Sequence, residues 1–197
     1  MTTTISSITL FGASGKTGQA VLNEAAVRGI KVQEVARNFT DDFFRKSIKG
    51  CDAVVIVFGP RPPYTDIFCA KTTKQIIRAM KAVHVHRLIC QTGAMIGDYH
   101  QNRSFIFELF SSRFHRNNPE GYNDRVQQEK AIMTSSLEWT VIKPPRLTDS
   151  QDNAPVHAGE NIKVGLLSSV SRKSLARFIL DVLHTRQYMR KIVFVKN

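Results

Sequence analysis

The sequence predicts an α/β domain built on a doubly wound parallel sheet with helices on both faces. Apolar, strand-like runs alternate with amphipathic, helix-like segments along the whole 197-residue chain, the pattern of repeated strand–helix–strand units. The densest apolar run, AVVIVF at 53–58, lacks the one-in-two polar alternation of a half-exposed strand and reads as a central parallel strand. No repeat, linker or low-complexity tract breaks the alternation, so residues 1–197 are expected to form one domain.

Residues 5–11 predict a first strand and 17–29 a helix stopped by Gly29. A second strand is expected at 31–37. A short helix follows at 40–49, capped by Thr40 with Asp41 and Asp42 in its first turn. After the 53–58 strand come a long helix at about 67–83 and a strand at 87–91. Residues 104–115 predict a helix with Phe107, Phe110 and Phe114 on one face. A further helix is expected at 124–135 and a strand at 139–142, ended by Pro144-Pro145. The last helix is expected at 172–183 and the last strand at 192–195.

Composition narrows the function classes. With 42% hydrophobic and 22% charged residues the chain is an ordinary globular one. No apolar run reaches the ~20 residues of a membrane helix, and Met-Thr-Thr-Thr lacks the features of a signal peptide. A cytoplasmic location and no membrane partner are the expectations. Cys51, Cys69 and Cys90 form no C-x-x-C pair and read as reduced thiols. The 28 Lys and Arg against 16 Asp and Glu give a net charge of +12, a field that attracts nucleotide cofactors, phosphorylated substrates, nucleic acid or acidic lipid. The basic residues are dispersed rather than clustered, so specific nucleic-acid binding is not expected.

The most informative stretch is FGASGKTG at 11–18. The Gly15-Lys16-Thr17 triplet resembles the end of a triphosphate-binding loop. That loop needs a glycine five positions before its final glycine, and position 10 is Leu10. The spacing Gly12-Ala13-Ser14-Gly15-Lys16-Thr17-Gly18 fits a dinucleotide loop between strand and helix. Gly12 permits the tight turn, Gly15 the approach of the pyrophosphate and Gly18 the packing of helix on strand. Amides at a helix start, on the positive end of its dipole, then face the phosphates. Lys16 is a basic neighbour for them. The second strand ends Val35-Ala36-Arg37-Asn38 with no acid at its tip. An acid there serves the ribose hydroxyl of NAD, whereas Arg37 suits the 2′-phosphate of NADP. NADP(H) is therefore favoured over NAD(H).

With these residues in place, the chain resembles the atypical short-chain dehydrogenase/reductases, in the NAD(P)H-binding, NmrA-like branch that includes flavin reductase/biliverdin reductase B. The carriers are FGASGKTG, the strand ending VAR, KGCDAVVIVFG, IIRAMKAVHVHRLICQTGA, SLEWTVIKPPRL and SRKSLARFILDVL, over almost the full length. The resemblance implies a Rossmann-type fold with the cofactor across the strand C-termini. It implies Gly59, Pro60 and Arg61 beside the adenosine and pyrophosphate, Thr92 and Gly93 near the nicotinamide, and Pro144, Pro145 and Arg146 over its end.

Three departures qualify these implications. About twenty residues usual after the second strand are absent, which implies loss of one outer strand and its crossover. An alternative alignment makes 31–37 the remnant of the third strand and removes Arg37 from its role. The family serine after the fifth strand is Gly93, and the histidine after the double proline is Arg146. The Tyr-x-x-x-Lys dyad of typical members is missing, because Val126 stands four places after Tyr122; Tyr122, Lys130 and Arg146 are the catalytic candidates that remain.

Hydride transfer to a small planar acceptor, a flavin or a quinone, stays feasible because cofactor and acceptor carry that chemistry. A non-catalytic NADP(H) sensor with a protein partner is the alternative. The stretch 103–116 reads either as a lid over a flat acceptor or as a helix packed on the core. His84-x-His86 lacks a third metal ligand, so no metal is expected. A chain without its usual outer strand is compatible with a monomer or with edge-to-edge pairing.

Overall fold

The computed structural model describes residues 4–35, 40–60, 64, 66–152 and 154–197. The expected alternation is present. Strands β1 (Ser7–Phe11), β2 (Lys31–Val35), β3 (Ala53–Ile56), β4 (Arg87–Gln91), β5 (Glu138–Lys143), β7 (His157–Gly159) and β9 (Lys191–Lys196) form one sheet in the order β2-β1-β3-β4-β5-β9-β7. All neighbours are parallel except β7, which runs antiparallel to β9. Short β6 (Arg146–Thr148) and β8 (Ser169–Ser171) pair separately, in parallel. Every residue of β3 and β4 is buried, as strands covered on both faces must be.

Helices α1 (Lys16–Val27) and α6 (Arg172–Thr185) cover one face of the sheet. Their buried side chains, Val21, Ala25, Leu175, Ile179 and Leu183 among them, pack on Ile8, Leu10, Val55 and Ile89. Helices α2 (Asp41–Ile48), α3 (Cys69–Ala82) and α5 (Pro119–Met133) cover the other, where Phe44, Ile76, Met80 and Ile132 meet Phe11, Val54, Ile56 and Leu88. Helix α4 (Phe105–Asn117) lies beyond the C-terminal end of the sheet on a small cluster of Ala94, Phe107, Val164 and Phe194.

Chain order departs β1 toward β2 on one side and returns to β3 on the other, so the order reverses beside β1. In open α/β sheets the crevice outside the strand C-termini at that point receives ligands. Strand β2 pairs with β1 alone, in the register Ser7↔Lys31 to Phe11↔Val35. It holds the second-strand position, and among the described residues no strand lies outside it, in keeping with the lost outer strand.

Local differences from the sequence expectation have physical causes. Helix α5 begins at Pro119, five residues before the expected start, with proline in its first turn where the missing N–H costs nothing. β6, β7 and β8 are three residues each; pairing partners rather than periodicity define them. Thr40 caps α2 as expected, its hydroxyl accepting from the Phe43 amide at 3.3 Å.

Helix α3 lacks a capping side chain of its own. The carboxylate of Asp124, from α5, accepts from the amides of Phe68, Cys69 and Ala70 at 3.2, 2.8 and 2.9 Å. The cap is thus supplied across 55 residues of sequence, where no local motif announces it. Asp124→Ala strands these amides in a buried setting. It is expected to cost about 1–3 kcal/mol in a urea unfolding titration.

Candidate functional site

A cleft of about 500 Å³ opens outside the C-terminal ends of β1 and β3. Its floor is the turn from β1 into α1. Gly12 has φ +95°, and a Cβ there would stand 2.7 Å from the Phe58 amide nitrogen. At Gly18 a Cβ would stand 2.2 Å from the Gly12 carbonyl oxygen and 2.6 Å from Ala13 Cα. The Gly15 amide closes the turn by donating to the Gly12 carbonyl at 3.1 Å. Gly15 is also the N-cap of α1, and no side chain caps the helix and no acid occupies its first turn. Its leading amides and the positive end of the dipole therefore face the opening.

The predicted residues divide clearly. Gly12, Ser14, Gly15, Lys16, Thr17, Gly59 and Pro60 line the cleft. Ala13 packs into the core beneath the loop, and Gly18 is buried in the helix–strand contact. Arg37 and Arg61 lie outside the described residues. Thr92 is buried after β4, its amide donating to the Ile142 carbonyl at 2.9 Å; the next amide but one, of Ala94, donates to that of Pro144 at 2.9 Å. These two bonds hold the 92–94 turn against the double proline. A Cβ on Gly93 would come no nearer than 3.9 Å to Ile96, so the position is open. Pro144 is buried and Pro145 half-buried, while Arg146 is exposed and its neighbour Leu147 lines the cleft instead.

Among the catalytic candidates, Lys130 is exposed on α5. Tyr122 is half-buried, its ring stacked on His115 at 4.0 Å between centroids. Burial raises the Tyr122 phenol above its ordinary range. Neither these two nor Arg146 lines the cleft.

Sequence reasoning missed several groups at the cleft. Val35, Phe58, Phe68 and Leu147 give it apolar walls, and Thr72, Gln91 and Arg172 add polar ones. Asp149 joins Lys16 Nζ at 2.7 Å to Arg172 Nη1 at 2.5 Å, linking the glycine loop to the start of α6. Its bond to Lys16 and the charge of Arg172 hold the Asp149 carboxyl below its ordinary range. Gln91 and Thr92 are both more than nine-tenths buried, yet Gln91 Oε1 and Thr92 Oγ1 have no hydrogen-bond partner among the described residues. Buried polar atoms are normally satisfied, so these two stand out; Gln91 lines the cleft and Thr92 follows it directly.

Beneath the cleft, α5 turns a polar stripe toward the sheet. Arg125 Nη1 donates to the Phe58 carbonyl at 3.1 Å and to Gln128 Oε1 at 2.8 Å, and its Nη2 to the Gln91 carbonyl at 3.3 Å. One guanidinium thus joins the ends of β3 and β4. Gln128 Nε2 donates to Thr73 Oγ1 at 2.9 Å. Glu129 pairs with Lys143 of β5, both buried. Burial depresses Lys143 and pairing with Glu129 only partly offsets it, leaving the ammonium at about 8. Its Nζ also lies 4.6 Å from the centre of the Tyr99 ring. Polar residues at 124, 125, 128 and 129 have helical spacing, but a sequence alone does not separate such a stripe from a solvated face.

A family profile described as NAD(P)H-binding matches residues 39–186. The chain belongs to the NAD(P)H-binding family. The glycine loop lies before the matched segment, so loop and profile are separate indications. Solved structures share the fold over nearly the whole chain. ChuY from E. coli is 16% identical over 98% of this chain and 97% of its own, with a TM-score of 0.77. A short-chain dehydrogenase/reductase from Veillonella parvula, in complex with NADP, is 15% identical over 98% and 95%, with a TM-score of 0.79. A candidate NADH-flavin reductase from Streptococcus pneumoniae is 17% identical over 97% and 99%, with a TM-score of 0.76. At these identities the likeness establishes the fold. Among the described residues no helix is long and apolar enough to cross a membrane and no cluster of three or more His, Cys, Asp or Glu fits a metal.

Proposed function

We propose that the chain is an NADPH-dependent reductase that passes hydride to a small planar acceptor, a flavin or a quinone. The observation that carries the reading is the cleft at the sheet's reversal point, floored by a turn that tolerates no Cβ at Gly12 or Gly18. The residues present fit a dinucleotide. The uncapped start of α1 offers amides to a pyrophosphate, and Lys16 and Arg172, which share the single carboxylate of Asp149, leave a net positive charge beside it. Gln91, on the cleft wall with its Oε1 unpaired among the described residues, adds a polar group suited to the nicotinamide carboxamide. The NADP complex of the Veillonella relative and the name of the Streptococcus relative support the same reading.

When bound, the reduced nicotinamide supplies the hydride; the protein orients donor and acceptor. Phe58, Phe68 and Leu147 give apolar cover to the cleft and exclude water from flat rings. Arg125 fixes the strand ends on which Gly59 and Gln91 sit. The acceptor's proton comes from solvent, because Tyr122, Lys130 and Arg146 stand outside the cleft. Flavins and quinones accept hydride on this footing more readily than alcohol-forming carbonyl substrates, which need a placed acid.

Arg37 follows β2 by two residues, past Val35, which lines the cleft. It is assigned the 2′-phosphate and with it the preference for NADPH. Arg37→Glu is expected to weaken NADPH by roughly thirtyfold or more, the loss of a charge-assisted bidentate contact, and NADH by less than about threefold. Equal losses for the two would remove Arg37 from the site.

The absence of an acid among the predicted residues at the cleft also favours a second reading, an NADP(H) sensor without turnover. Single-turnover oxidation of bound NADPH against a panel of flavins and quinones separates the two. Oxidation matched by acceptor reduction supports the reductase, and tight binding without oxidation by any of them supports the sensor.

A further inference from the structure

Helix α4 packs through Phe107 and Ser111, and its opposite face carries Phe105, Ile106, Leu109 and Phe110 into solvent. The spacing places Phe107, Phe110 and Phe114 on one face, read either as a lid or as packed on the core; the core takes Phe107 and leaves Phe110 half exposed. The segment after Val164 adjoins the start of this helix. The Ser104 amide donates to the Val164 carbonyl at 2.9 Å, and a Cβ on Gly165 would meet Ser104 Oγ at 3.3 Å. That segment adds Leu166 and Leu167. Phe105 is 78% exposed and Leu167 93%, and the other four lie between 43% and 56%. Six large apolar side chains in one exposed tract mark a contact surface rather than the ordinary scatter of a protein exterior.

Cations border it, while the acids nearby are already paired: Asp98 with His100 at 2.6 Å and Glu160 with Lys191 at 3.0 Å. Arg113 and Arg116 continue the same face of α4 toward its C-terminus, and Lys163 stands beside Leu166 and Leu167; all three are exposed. The one carboxylate on α4, Glu108, is half-buried and bonded to Arg103 at 3.0 Å. Along α4 itself no other acid follows before its end at Asn117. An apolar stripe bordered by cations suits a surface that offers hydrocarbon beneath negative charge. A second copy would bring a like charge of +12 to the contact.

We propose that this face docks on an anionic lipid membrane, with Phe105, Ile106, Leu109, Leu166 and Leu167 entering the interface and Arg113 and Arg116 meeting the headgroups. Docking of this kind needs no spanning helix. It departs from the sequence expectation of no membrane partner, and it stands independently of the reductase reading.

Sedimentation of the full chain with vesicles provides the test. Vesicles of phosphatidylcholine with about a third phosphatidylserine are expected to carry the protein down, and pure phosphatidylcholine to leave it in the supernatant. Phe105→Ser with Leu109→Ser, and separately Arg113→Glu with Arg116→Glu, are each expected to lower partitioning by about tenfold or more, both pairs being exposed and retaining the unfolding transition. Arg113→Lys with Arg116→Lys is expected to retain binding. Failure to bind the anionic vesicles would overturn the proposal. So would binding that the serine pair leaves unchanged, since diffuse charge then suffices. Self-association without vesicles that the serine pair abolishes would assign the face to a second copy and overturn it too.

Discussion

Gly18→Ala is expected to destabilise the fold by about 2–4 kcal/mol and to weaken NADPH by at least about tenfold. The added methyl would stand 2.2 Å from the Gly12 carbonyl oxygen and 2.6 Å from Ala13 Cα. Both are backbone atoms, so no rotamer change relieves the contact. Relief requires α1 to move away from the β1 turn, and that motion withdraws the leading amides of α1 from the cleft. Because α1 packs against α6 across Val21, Ala25, Leu175 and Ile179, the shift also opens one half of the core. Gly93→Ser is the matched control for stability alone. Its Cβ has 3.9 Å to the nearest side chain, so unfolding should change by less than about 0.5 kcal/mol. Thermal melts of the two variants, run side by side, and an NADPH titration of Gly18→Ala check both expectations. Unchanged binding in Gly18→Ala would detach the glycine turn from the cofactor.

The second large effect concerns the buried ion pair below the cleft. Glu129→Leu leaves the Lys143 ammonium with no counter-charge in a site where it is wholly buried. The expected cost is about 3–5 kcal/mol in urea unfolding. Lys143→Met should cost a similar amount by stranding Glu129. Replacing both together removes two desolvated charges, and the double variant is expected to recover most of the loss. The pH dependence follows from Lys143, held at about 8 in the fold against 10.5 for an unperturbed lysine. Between those values the unfolded chain holds the extra proton, so this group favours the folded state more as pH rises from 8 to 10.5. In Glu129→Leu the rise should begin at lower pH, because the partner that lifts Lys143 is gone. Additive single losses in the double variant would show that the two charges do not act as a pair.

The strands and helices that enclose the core were legible in the sequence because their signals are local. AVVIVF announces a central strand, Thr40 caps α2 where expected, and the three-residue glycine spacing between β1 and α1 marks the turn. What escaped the sequence reading is non-local. Asp124 caps a helix 55 positions away, Arg125 joins two strand ends, and Asp149 bridges the glycine loop to α6. Each is an ordinary charged residue until the fold supplies its partners. The strands β6, β7 and β8 are too short for a period to register. Gln91 looked like the polar end of a strand; only its burial without a partner sets it apart. The face of α4, which the sequence left open between lid and core packing, is divided by the fold. Phe107 and Phe110 stand three positions apart, yet the core takes the first and leaves the second half exposed.

Calorimetric titration of the purified chain with NADPH and with NADH measures cofactor binding and its preference in one experiment. One site per chain is expected, with NADPH tighter than NADH by at least about tenfold, the discrimination of one charge-assisted phosphate contact. Heat of binding for neither nucleotide, or equal affinity for both, would contradict that expectation.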